Sequence, residues 1–334
     1  MNSHNVSLKT VFSVVLCAAV FLTAAAPPKA APEPVVELRL AELHPDDHPT
    51  TQADYEFARL VDERSKGRIR IRVYANSVLG QEVSVLEQLQ FGAIDIARVS
   101  VAAVAVYVPR LRALQMPYLY RDDEHMWRVL KGDIGGELLA SVSEAGFVGL
   151  GWFEAGARSF YSARKPIRSP ADLRGLHIRV QEGSVMAEAV AAFGSSPVAM
   201  AFGEVYSAMQ TGKIDGAENN ASTYYTSGHY KIAPYYTLTE HVRIPEIIVG
   251  SSAAFASLSA ADRLVIEKAA MDTIDFQRAA WARYERLALE RARSGGVRVI
   301  EIRDTSLWKA VARPVYDRQP AQVRAIVARI RAAE

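Results

Sequence analysis

Residues 261–293 carry a helical pattern that runs without interruption until Ser294-Gly295-Gly296 breaks it, and no other stretch constrains the fold as strongly. About 33 residues at a rise of about 1.5 Å each give a helix of roughly 50 Å, longer than one small domain needs. The segment reads as a spine spanning two lobes, with a kink expected along its length. Two shorter helices meeting near Asp275 satisfy the same pattern. Ser259, three residues before Asp262, opens the run as a capping box in which Asp replaces the usual Glu or Gln.

The amino-terminal half has another rhythm. Residues 35–40 alternate as a strand, residues 50–65 place Tyr55, Ala58, Leu60 and Val61 at helical spacing, and residues 68–74 alternate Arg with Ile or Val. Strand, helix, strand is a βαβ unit, which implies an α/β fold with parallel pairing. Further helices are expected over 82–91, 125–130, 137–144, 185–193 and 203–210, and strands over 93–101, 147–153 and 178–181. A short helix and a Gly175 turn precede the last of these strands. No repeat or low-complexity tract follows residue 34, and no long linker separates the two lobes, so the crossings between them must be short.

Composition narrows the function classes. The chain has 334 residues, 50% hydrophobic and 23% charged, enough for two medium-sized domains with their own cores. Lys+Arg 39 against Asp+Glu 37 leaves +2, so no bulk field attracts nucleic acid. Lys9, the apolar run 11–26 and the small residues Ala24, Ala25 and Ala26 read as a cleavable signal segment, residues 1–26. Cys17 is the sole cysteine, and Leu16 before it argues against lipid attachment. Residues 30–34 form a Pro/Ala tether. There is no GxGxxG, P-loop, GxSxG, HExxH or CxxC signature, and the seven histidines show no metal-ligand spacing. No cofactor or metal is expected, and an enzyme reading has no visible base to rest on.

Binding residues are more visible. Arg179 ends an apolar strand between Ile178 and Val180, and Arg158 follows Ala155-Gly156-Ala157. An arginine among apolar residues is costly unless paired. The partner is either an internal carboxylate such as Glu154 or Glu204, or a ligand carboxylate that matches the planar guanidinium fork. The residues alone leave both open. Asn219 can donate and accept at once, or can simply form a turn, and the same holds for Asn220. After residue 40, His44 with Asp46 or Asp47 can bind hydroxyls, or Asp47 can cap the following helix. Ser100 closes a strand that contains Arg98, and Arg98 faces either the same wall or solvent. Among the aromatics, Phe153 and Phe202 are the candidates for stacking on a ligand, with core packing the alternative for each. His229, Glu240 and His241 sit in a stretch that reads as a hinge strand.

Several phrases occur together in order: VYANSVLGQE, LEQLQFGAIDIA, MPYLYRDDEHMWRVL, GARSFYSARKPIRSPADLRGLHIRV and PVAMAFGEVYSAMQTGKIDGAEN. Over residues 38–285 this resembles the solute-binding subunits of tripartite ATP-independent periplasmic (TRAP) transporters. The resemblance implies a two-lobed periplasmic-binding-protein-like α/β fold with a long helix spanning both lobes. It divides the chain into lobe I, 35–157 plus 245–284, and lobe II, 158–244 plus 285–334. It implies a periplasmic monomer, not an enzyme, that hands a small carboxylate to membrane permease subunits. It also assigns the ligand carboxylate to Arg179, with Arg158, Asn219, His44, Asp46, Ser100, Phe153 and Phe202 around it. GARSFY, the Glu218-Asn219-Asn220 variant of the family's ENP, and LTEH at 238–241 look most like members that take sugar acids such as uronates. Members that take C4-dicarboxylates are the alternative, as is a module that presents its ligand to a sensor.

Overall fold

The computed structural model describes residues 35–183 and 185–334, together with Met1. The expected signal segment 1–26 apart from Met1, Cys17 within it and the expected tether 30–34 therefore lie outside the described residues. The strands are β1 (Val36–Ala41), β2 (Ile69–Tyr74), β3 (Ile96–Ser100), β4 (Phe147–Phe153), β5 (Ala157–Ser162), β6 (His177–Val180), β7 (Ser196–Ala199), β8 (Gly216–Asn219), β9 (Tyr235–Arg243), β10 (Glu246–Ser251) and β11 (Arg298–Glu301). The helices are α1 (Pro49–Arg64), α2 (Glu82–Gln90), α3 (Val101–Val104), α4 (Asp123–Lys131), α5 (Asp133–Ala140), α6 (Met186–Ala192), α7 (Val205–Gln210), α8 (Ala221–Thr226), α9 (Ser252–Ala256), α10 (Ala260–Ser294), α11 (Ser306–Asp317) and α12 (Ala321–Ala332).

Two mixed sheets result, ordered β2-β1-β3-β10-β4 and β11-β9-β5-β8-β6-β7. The βαβ units pair in parallel as their pattern requires: β1 with β2 and β3, and β6 with β7 and β8. The parallel expectation fails at β10. This strand returns from the second sheet and inserts antiparallel between β3 and β4, because a strand arriving by a short crossing must run back the way the chain came. β5 is likewise antiparallel to β8 and β9.

The chain passes between the sheets at 154–156 and again at 244–245, two short crossings. Gly156 occupies the first with φ +63°, and any side chain there would collide with Glu285 and Trp281 of α10. Gln277 fixes the same crossing to α10: its Oε1 accepts from Glu154 N at 2.8 Å, and its Nε2 donates to Glu154 O at 2.9 Å. The spine is one unbroken helix of 35 residues, so two helices meeting near Asp275 are not formed. Ser259 caps it, accepting from Asp262 N at 3.0 Å. α10 packs on α1 and β4 of the first sheet's side and on α8 beside the second.

β5 illustrates how one strand serves two cores. Phe160 joins the large apolar cluster containing Phe193 and Trp308, while Tyr161 on the opposite face joins Val205, Met209, Tyr224 and Tyr236. The carboxyl end departs from the expected division. α12 packs against residues 109–115 and α5, and His125 Nε2 and Arg329 tie it to that side at 3.0 Å (Ile330 O) and 2.7 Å (Glu137). Among the described residues no helix is long and apolar enough to cross a membrane.

Candidate functional site

The site is built at the strand ends where the two sheets face one another. β6 holds Ile178 and Val180 in the core, so alternation turns Arg179 to the other face, where Ala217 pairs with it in register. Arg179 is only 3% exposed. Its Nε and Nη2 both donate to Met200 O, at 3.1 and 2.8 Å. That grip leaves the outward pair of N–H groups on Nη1 and Nη2 unused. Among the described residues no carboxylate lies within ion-pair distance of it. Burial holds its pKa below the ordinary arginine value, with Arg158 contributing in the same direction against the opposing pull of Tyr161 and Glu218.

Arg158, equally buried, is satisfied. Its Nε and Nη2 clasp the Glu218 carboxylate at 2.5 and 2.9 Å, Nη2 also donates to Glu218 O, and Nη1 donates to Asn219 Oδ1 at 2.9 Å. Burial opposes both charges. The mutual attraction outweighs it, raising Arg158 and lowering Glu218 to about 2. The internal partner is thus Glu218. The suggested Glu204 is exposed, and Glu154 accepts instead from Trp127 Nε1 at 2.6 Å and Gly156 N at 2.7 Å. Asn219 Oδ1 also accepts from Asn220 N, while nothing among the described residues accepts from its Nδ2. Asn220 caps α8, its Oδ1 accepting from Thr223 N at 2.7 Å.

The facing wall comes from the first sheet. His44 stacks on His48 with ring centroids 3.9 Å apart and meets the edge of Phe202 at 5.6 Å. Phe202 in turn lies 5.7 Å from His229, whose Nδ1 is 2.8 Å from Tyr161 Oη. Gln81, Glu82, Val83 and Ala103 line one side of a recess whose other side is Arg179, Glu182, Ala201 and Phe202. The walls touch, since Gly203 N donates to Gln81 Oε1 at 3.2 Å and His48 Nε2 is 3.4 Å from Thr223 Oγ1. Burial holds His44 and His48 well below the ordinary imidazole range and takes His229 down to about 3, with nearby arginines adding to the effect. Burial thus favours the neutral form of all three rings. His44 Nδ1 is buried, and no described residue bonds to it.

Other expected residues have partners within the fold. Asp46 is exposed, and its carboxylate accepts from Tyr55 Oη at 2.5 Å and from Asn76 Nδ2 at 3.5 Å. Asp47 does not cap α1. His48 does so, its Nδ1 accepting from Thr50 N at 3.3 Å. Ser100 caps α3 through Ala102 N at 3.2 Å and donates its own N–H to Glu82 Oε1 at 2.6 Å. Phe153 is fully buried in the first core. Arg98 does not face solvent: it is buried between Glu42 and Glu246, with Nη1 2.6 Å from the latter. Glu82 escaped the sequence reading because the first residue of an amphipathic helix looks like an ordinary dipole-facing acid. Among the described residues no group of three or more His, Cys, Asp or Glu side chains forms a metal site.

Residues 40–322 match the family described as bacterial extracellular solute-binding protein, family 7. The chain belongs to this family. A TRAP periplasmic solute-binding protein from a Bradyrhizobium species, solved in complex with α/β-D-galacturonate, is 36% identical with a TM-score of 0.86, covering 88% of this chain and 99% of that one. A TRAP protein from Chromohalobacter salexigens with bound D-glucuronate is 34% identical with a TM-score of 0.86, covering 89% and 100%. A curated solute-binding protein from the same organism is 36% identical over 275 residues, 82% of each chain. The family and the two-lobed α/β fold with its long helix are those expected from the TRAP resemblance. This family is a substrate-binding component of transport.

Proposed function

We propose that this family member captures a sugar acid of the uronate class in the recess headed by Arg179 and delivers it to TRAP membrane subunits. One observation carries the reading: Arg179 is a buried cation with its outward N–H pair free and, among the described residues, no carboxylate within ion-pair distance. A carboxylate seated there gains two charge-assisted hydrogen bonds, each worth roughly 1.5–3 kcal/mol net.

The charge balance favours a monoanion. Arg158 is paired with Glu218, and Arg98 lies between Glu42 and Glu246, so Arg179 is the one arginine of the three without a carboxylate in ion-pair reach among the described residues, and Glu82 and Glu182 in the same lining repel a second anionic group. A C4-dicarboxylate would need a second such cation. Around Arg179 stand groups suited to hydroxyls: the His44 imidazole, Asn219 Nδ2, the remaining Arg158 Nη1 hydrogen and the Glu82 carboxylate. Phe202 covers the ring face. The bound galacturonate and glucuronate of the similar solved proteins support the same class.

Delivery follows from closure. Lobe I, 35–157 plus 245–284, and lobe II, 158–244 plus 285–334 with α12 returning to lobe I, close on the ligand, and the permease reads the closed form. The signal segment 1–26 directs the chain to the periplasm, where it acts as a monomer without turning over its ligand. Calorimetric titration with D-galacturonate, D-glucuronate and succinate tests this. A uronate Kd of about 1 µM or tighter, near −8 kcal/mol, is expected. Succinate binding more tightly than both uronates would overturn the reading.

A further inference from the structure

A cavity of about 390 Å³ lies between residues 118–121, strand β9 and the start of α11, and it shares no lining residue with the Arg179 recess. Its size falls within the range of small-molecule sites. Arg121, Arg243 and Lys309 line it against a single carboxylate, Glu240. None of the three cations is firmly matched. Lys309 Nζ rests over the Tyr118 ring at 5.7 Å, with no carboxylate in ion-pair reach among the described residues. Arg243 Nη1 is 3.9 Å from Asp123, whose nearer partner is Arg278 at 3.3 Å. Arg121 Nη2 donates to Ala333 O at 2.8 Å, leaving the rest of its fork available.

The wall is also strained. Tyr118 and Glu240, neither a glycine, hold φ of 54° and 42°. Each is pinned: Tyr118 N donates to His241 O at 2.9 Å, Tyr118 Oη to Thr239 O at 3.1 Å, and Glu240 N to Ser159 Oγ at 3.1 Å. Strained backbone of this kind persists where the surroundings over-determine it, and it concentrates at ligand clamps.

We infer that this cavity is a second ligand site, which takes a small anion of the phosphate or sulfate type between Arg121, Arg243 and Lys309. The lining sets three cations against one carboxylate, and Asp123, 3.9 Å from Arg243 and shared with Arg278, reduces that positive excess without cancelling it, which leaves the cavity complementary to a small anion. The inference is independent of the uronate reading, because the two sites share no residue.

Titration of the purified protein with inorganic phosphate in chloride buffer, monitored by calorimetry, tests it. Arg179→Ala serves as the background in which the recess cannot hold the ion. Phosphate is expected to bind wild type and Arg179→Ala alike, and to weaken by about tenfold in each of Lys309→Gln and Arg243→Gln. Lys309 is exposed, so its variant should melt as wild type does. Absence of phosphate binding to wild type would overturn the proposal. So would binding that is lost in Arg179→Ala yet unchanged in both cavity variants.

Discussion

Arg158 and Arg179 stand on β5 and β6, the two strands flanking β8, yet among the described residues only Arg158 has a carboxylate partner. The same residue type in the same cleft is therefore structural in one position and open in the other. Removing each should separate the two roles. Arg158→Met strands Glu218 as a buried charge and is expected to cost about 3–5 kcal/mol of stability. Arg179→Met strands no charge, only the Met200 carbonyl that it grips, and is expected to cost about 1–2 kcal/mol. Denaturant unfolding without ligand measures both, and equal losses would contradict the assignment.

Arg179→Lys keeps the charge but not the fork. An ammonium held by Met200 O cannot present two parallel donors to a carboxylate. Uronate affinity should fall by about 100-fold, the loss of roughly one to two charge-assisted hydrogen bonds. Calorimetry of the folded variant gives the value, and affinity within threefold of wild type would count against bidentate recognition.

Glu82 sets the charge of the recess. Its Oε1 accepts from Ser100 N, and its charge acts on Arg179. Glu82→Gln should weaken uronate binding by about tenfold and narrow the gap to succinate, since an acceptor for hydroxyls and a repulsion for a second carboxylate are lost together. Competition titration with both ligands reads the ratio. An unchanged ratio would mean Glu82 serves only to hold Ser100.

The buried neutral histidines predict an acid-side loss of stability. His229 is lowered to about 3 by burial and by Arg179, so unfolding takes up a proton at any pH between that value and the unfolded imidazole near 6.5. The unfolded state binds more protons there, so this contribution is present above about pH 6.5 and is lost as pH falls toward 3, by up to about 1.4 kcal/mol per pH unit. His229→Gln should flatten the slope of melting temperature against pH in that window. An unaltered slope would mean the ring is not buried neutral.

The fold was legible wherever local pattern decides it. Period-two alternation marked β1 and β2, and Ser259 marked the start of the spine. The direction of β10 was not, because it depends on a crossing between sheets rather than on its own residues. Arg179 stood out as a polar residue in an apolar strand. The partner of Arg158 did not, because Glu218 lies 60 residues away and only the β5–β8 register brings the two together. Asp46 and Ser100 carry chemistry suited to hydroxyls, and the structure adds that Asp46 accepts from Tyr55 and Ser100 caps α3, ties that residue type alone does not reveal. Whether Phe153 or Phe202 faces the recess depends on which side of the crossing each falls, which residue type does not reveal.

A crystal structure of the complex with D-galacturonate tests the central claim most directly. Both carboxylate oxygens should lie about 2.7–2.9 Å from Nη1 and Nη2 of Arg179. Arg158 should still clasp Glu218, and the sugar hydroxyls should face His44, Asn219 and Glu82. A carboxylate bound to a different cation, or turned out of the recess with Arg179 left unpaired, would contradict the account.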